Sequence, residues 1–129
     1  MHFMNIIVIA FATLAALAKL VDVFSTIKCV KTVNMERNPI GKLLFKYFGV
    51  AGGCWITFVV QVLICTLVAW DAVFYSETAE KVAVAAFCGV ITYFNISTGF
   101  HNMMGFDLPF TKSVIRFYGW LAARVTKEE

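Results

Sequence analysis

Three long apolar stretches divide the chain, at about residues 4–27, 50–70 and 82–100. Each has few charges and comes close to the roughly 20 residues that an α-helix needs to cross a bilayer. None alternates polar and apolar positions as a membrane strand would. The pattern therefore predicts an all-α integral membrane protein with three transmembrane helices, organised as a single domain over residues 1–129.

Two further segments are amphipathic and too short or too charged to cross a bilayer. Residues 39–48 begin at Asn38-Pro39, a typical helix start in which Asn caps and Pro takes the first helical position. Residues 111–126 interleave apolar and basic side chains. We expect both segments to form interfacial helices at headgroup level. The pattern leaves open whether residues 39–70 form one continuous helix or break at their glycines, Gly49, Gly52 and Gly53.

Composition favours lipid as the surrounding solvent. The chain is 60% hydrophobic and 15% charged, with a mean hydropathy of +0.80. Soluble domains are about 45–50% apolar and about 25% charged. The basic residues lie beside the apolar stretches, so we interpret them as topology signals and expect no nucleic-acid partner.

Basic residues also predict the orientation. The linker at residues 28–49 carries five Lys or Arg and the tail at residues 101–129 carries four, against one in the connection at residues 71–81. Because basic loops stay on the cytoplasmic side, we expect linker and tail in the cytoplasm and the N-terminus outside a cell (inner or cytoplasmic) membrane. No Lys or Arg precedes the first stretch, so we expect an uncleaved span and not a signal peptide.

Polar residues gather near the expected cytoplasmic ends of two spans. Asp22 lies late in the first span, where a carboxylate costs about 2.5–3.5 kcal/mol unless compensated, and Lys19 is one turn earlier. The third span ends in a stripe of polar residues on one helix face. The candidate polar cluster comprises Lys19, Asp22, Ser25, Thr26, Glu36, Asn38, Asn95, Thr98, His101 and Asn102.

We favour a structural role for this cluster, in which Asp22 pairs with Lys19 or His101 and the Asn side chains bridge helices. Two alternatives stay open. Asp22, Glu36 and His101 could hold a cation or relay a proton, or the cluster could face a partner protein. On the second span, Gln61 is expected to face the other helices.

Small residues and cysteines are assigned packing roles. Three small-x-x-x-small pairs allow close helix approach: Gly49 with Gly53, Ala85 with Gly89, and Ala12 with Ala16.

The cysteines show no zinc-binding spacing, so we expect Cys29, Cys54, Cys65 and Cys88 to be reduced thiols acting as small apolar side chains. We expect no metal site and no cofactor.

Two short motifs carry a family resemblance. The sequence from Asp22 to Thr26 reads D-V-F-S-T, and Glu36 to Pro39 reads E-R-N-P. Over about residues 15–45 the chain resembles the DUF5658 family of small bacterial and phage membrane proteins, which carry D-x-x-[ST]-T and E-x-N-P elements. It departs from them where they often have glycine before the Glu. The resemblance implies a helical membrane fold and importance for Asp22, Glu36 and Asn38, but it supplies no activity.

Catalytic signatures are missing, including nucleophile elbows, phosphate-binding loops, metalloprotease motifs and dinucleotide fingerprints. We therefore expect a non-enzymatic accessory or interaction subunit that modulates a larger membrane complex, with another membrane protein or a second copy as its partner. One alternative is a holin-like pore former. The other is an ion- or proton-coupled membrane protein that uses Asp22 and His101.

Overall fold

The computed structural model describes residues 2–36, 38–105, 108–110, 112–113, 116–117, 120 and 123–124. Its elements are α1 (His2–Cys29), a short 3₁₀ helix (Val33–Met35), α2 (Pro39–Tyr75) and α3 (Thr78–Met104). The described residues include no strand. All three α-helices are long and apolar enough to cross a membrane. The predicted all-α class with three candidate spans is therefore confirmed.

α1 is the central helix of the bundle. It packs extensively against α3 and less extensively against α2, while α2 and α3 contact each other little. The helices alternate in direction, so the start of α1 lies beside the short α2–α3 connection, called here the hairpin end. The opposite end, called here the linker end, holds the end of α1, residues 30–36 and 38, and the end of α3.

Small side chains build most of the core. The layers from hairpin end to linker end are Val8 with Ala69, Ala72 and Ala85, then Ala15 with Cys65 and Cys88, then Val23 with Phe45 and Cys54. A Cβ at Gly89 would lie 3.2 Å from the Phe11 ring of α1. Without a hydrophobic driving force in lipid, such close packing is what holds helices together. All four cysteines are free thiols.

α2 bends at Gly49, which has the non-helical dihedral angles φ 72° and ψ 169°. Only glycine adopts this region readily, and nothing lies within 4 Å of its Cβ position. Residues 39–70 therefore do not form one continuous helix: two helical segments meet at Gly49. Past the bend, Gly53 packs under Phe45, because a Cβ there would lie 2.5 Å from the Phe45 ring. Within α2, Gly49 thus forms the bend and Gly53 makes the contact with Phe45.

The helix ends follow local capping rules. Asn38 caps α2 by accepting the Ile40 N–H at 3.0 Å. Glu77 and Glu80 form a capping box at the start of α3, and Gly105 ends it in a left-handed conformation with φ 66°. The expected interfacial helix at 111–126 lies largely outside the described residues. Those described there are helical.

Candidate polar site at the linker end

A cavity of about 420 Å³ lies at the linker end, between the three α-helices and the linker. Nine of the ten predicted cluster residues line it: Lys19, Asp22, Thr26, Glu36, Asn38, Asn95, Thr98, His101 and Asn102. The tenth, Ser25, is buried and lies within 3.3 Å of the Asn102 side-chain nitrogen. The structure thus brings together polar residues that are up to 83 positions apart in the sequence.

Asp22 has two side-chain partners on its own helix. Lys19 donates through Nζ to Asp22 Oδ2 at 2.5 Å, and each of these side chains is 13% exposed. Thr26 donates its hydroxyl to Asp22 Oδ1 at 3.3 Å. Lys19, one of the two partners considered for Asp22 from the sequence, forms an ion pair with it. The two opposite charges compensate each other within the cavity wall.

Asn102 joins α3 to α1. Its amide nitrogen lies 3.0 Å from the Thr26 hydroxyl and 3.3 Å from the Ser25 hydroxyl. One turn earlier, Gly99 is buried, and a Cβ at that position would lie 2.9 Å from the Val21 side chain. The close backbone approach at Gly99 therefore brings the Asn102 amide within reach of α1.

Gln61 connects all three helices. Its amide nitrogen donates to the Ala15 carbonyl of α1 at 3.2 Å, and its amide oxygen accepts from Asn95 of α3 at 3.1 Å. Gln61 also lines the cavity. On the hairpin side of this bridge, Cys65 of α2 and Cys88 of α3 belong to the same core layer. On the linker side, the cavity lies between α2 and α3.

Glu36 brings the linker into the cavity wall. Its Oε1 accepts the Asn38 N–H at 2.7 Å, which places the carboxylate at the start of α2, where the helix dipole favours negative charge. Gly41 permits this position, because a Cβ there would lie 2.9 Å from Glu36 Cγ. The linker motif and the first turn of α2 thus form one unit.

Several lining residues carried no distinct signal in the sequence. The aromatic side chains of Phe45 of α2 and Phe94 of α3 line the cavity. Nothing in their spacing distinguished them among the chain's 13 Phe. Cys54 lines the cavity too. Among the described residues no group of three His, Cys, Asp or Glu is arranged to hold a metal ion.

A buried lysine at the hairpin end was also missed. Lys81 is 2% exposed, and its Nζ donates to the Asn5 side chain at 2.8 Å. Sequence reasoning treated Lys81 only as a loop charge. The signal that could have found this pair is an Asn inside the first apolar stretch and a Lys directly before the third.

Fold and cavity together define a small helical protein with three candidate membrane spans and a polar cavity at one end. No family model, curated protein or solved structure matches this chain. The likeness of about residues 15–45 to the DUF5658 family therefore stays a prediction.

Proposed function

We propose that this chain is a small non-enzymatic membrane protein that acts as an accessory subunit or modulator of a larger membrane complex. The supporting observation is the cavity that separates α2 from α3. Lys19 and Asp22 remain partly exposed in its wall although they belong to a candidate span. Charged groups at this depth do not face acyl chains. A neighbouring membrane protein, or a second copy of this chain, provides a cover.

The internal hydrogen bonds agree with a binding role better than with a moving ion path. Every buried side-chain nitrogen or oxygen among the described residues has a hydrogen-bond partner. The amide nitrogens of Gln61 and Asn102 donate hydrogen bonds to residues of another helix. A network committed to holding helices together leaves the cavity rim for a partner.

The outer faces of the helices are mostly uncovered within the chain. In no helix is more than 28% of the most apolar 18-residue stretch buried within the chain. Lipid or partner helices must cover the rest. We further propose that the linker end faces the cytoplasm of a cell membrane, because both basic segments of the sequence adjoin that end.

A photo-crosslinking residue at Thr98 tests the proposal in native membranes. Thr98 lines the cavity and is exposed, whereas Thr66 is exposed on α2 beside an apolar groove and serves as the matched control. We expect a discrete protein adduct at Thr98 and none at Thr66. An added mass of 14.4 kDa would identify a second copy.

Purification in mild detergent provides the independent measurement. We expect the protein to elute with a partner or as a defined oligomer. A strictly monomeric particle, together with only lipid adducts at Thr98, would refute the accessory-subunit proposal.

A further inference from the structure

The charges around the cavity leave a negative balance. Lys19 and Asp22 compensate each other at 2.5 Å. Among the other residues of the cavity wall that the structure describes, Glu36 adds a carboxylate and there is no further Lys or Arg. The wall therefore favours a cation over an anion.

The uncharged part of the wall is also suited to an organic cation. Asn95 and Asn102 donate from their amide nitrogens to neighbouring helices, and the oxygen of each amide is a hydrogen-bond acceptor. Phe45 and Phe94 contribute aromatic surface, which attracts ammonium groups through the ring quadrupole. Oxygen acceptors, a carboxylate and aromatic rings are the groups that recognise ammonium.

The size of the cavity excludes a tight fit for a bare ion. Its volume is about 420 Å³, and small-molecule sites measure about 300–1,000 Å³. The described residues provide no group of three metal-binding side chains. A short organic molecule fills this space where a metal ion would leave most of it to water.

We propose that the cavity is a binding site for a primary ammonium group on a short organic chain, with the Glu36 carboxylate as its counter-charge. The ammonium can come from a free amine or from an ethanolamine lipid headgroup, since the chemistry is the same. The site concerns this chain alone and does not require the partner of the accessory-subunit proposal.

The test uses the full chain purified in detergent, with ethanolamine titrated at constant ionic strength while the thermal unfolding midpoint is followed. We expect a saturable rise in the midpoint. Glu36→Gln keeps an oxygen for the Asn38 N–H but removes the charge, so we expect binding to weaken about tenfold. Asp71→Asn removes an exposed carboxylate at the hairpin end and should leave binding unchanged.

Gly41→Ala is the second variant, because it retains every charge. The added Cβ would lie 2.9 Å from Glu36 Cγ, so it displaces the carboxylate and should also weaken binding. Inorganic phosphate at the same ionic strength should not raise the midpoint. Absence of a saturable ethanolamine effect, or equal binding by wild type, Glu36→Gln and Gly41→Ala, would overturn the proposal.

Nanodiscs distinguish the two sources of the ammonium group. If the lipid supplies it, phosphatidylethanolamine should raise the midpoint relative to phosphatidylglycerol and weaken the response to added ethanolamine. If a free amine is the ligand, the two lipids should give the same midpoint and the same ethanolamine response. Either result supports an ammonium site and names its source.

Discussion

Replacing Gln61 by Leu should reveal how much one polar side chain contributes to the three-helix arrangement. The change removes the bond to the Ala15 carbonyl and the bond from Asn95. Side-chain hydrogen bonds between membrane helices contribute about 0.6 kcal/mol on average and up to about 1.7 kcal/mol. Two such bonds give an expected loss of about 1–3 kcal/mol in the free energy of unfolding.

The loss has a second component, because Asn95 is 7% exposed and would keep its amide without the Gln61 partner. Burial of an unpaired amide is unfavourable in its own right. A double-mutant cycle of Gln61→Leu with Asn95→Leu separates the pairwise term from this penalty. We expect a coupling energy of about 0.6–1.7 kcal/mol.

The assay is reversible unfolding in mixed detergent and dodecyl sulfate micelles, followed by circular dichroism. Thr66→Val is the control, because Thr66 is exposed on the same helix, and it should change stability little. Wild-type stability in Gln61→Leu, or a coupling energy of zero in the cycle, would refute the bridging role of Gln61.

Three further outcomes are expected. Gly49→Ala should lower the unfolding free energy by about 1–3 kcal/mol, because alanine is strained at φ 72° and ψ 169°; unchanged stability would show that the bend does not need glycine. Asp22→Asn should cost about 1–3 kcal/mol by leaving the Lys19 ammonium without its counter-charge, and adding Lys19→Met should recover much of that loss in the same assay. In a chain with its four native cysteines replaced, a membrane-impermeant thiol reagent should label Ala79→Cys but not Lys31→Cys in intact cells; the reverse would invert the proposed orientation.

The sequence was sufficient to predict the three spans because each prediction depends on one segment alone. Hydropathy over about 20 residues and the bilayer thickness decide whether a helix can cross. The same local rules predicted the start of α2, where Asn38 caps the helix as its type and position indicate. Alternation of helix direction then placed the polar ends of α1 and α3 at the same end of the bundle.

The sequence also predicted which polar residues line the cavity, because position along a helix gives depth. The rise of an α-helix is constant, at about 1.5 Å per residue, so position along a span gives depth. Asp22 and Asn102 were expected at a common depth, and both line the cavity. Depth alone, however, does not say which side chains touch.

The contacts themselves were decided by the tertiary structure. The bridge from Gln61 to Asn95 and the pairing of buried Lys81 with Asn5 depend on how each helix is rotated about its axis. That rotation is set by close packing at small residues such as Gly99 of α3. Hydropathy reports how deep a residue lies, and only packing between distant segments reports which neighbour it faces.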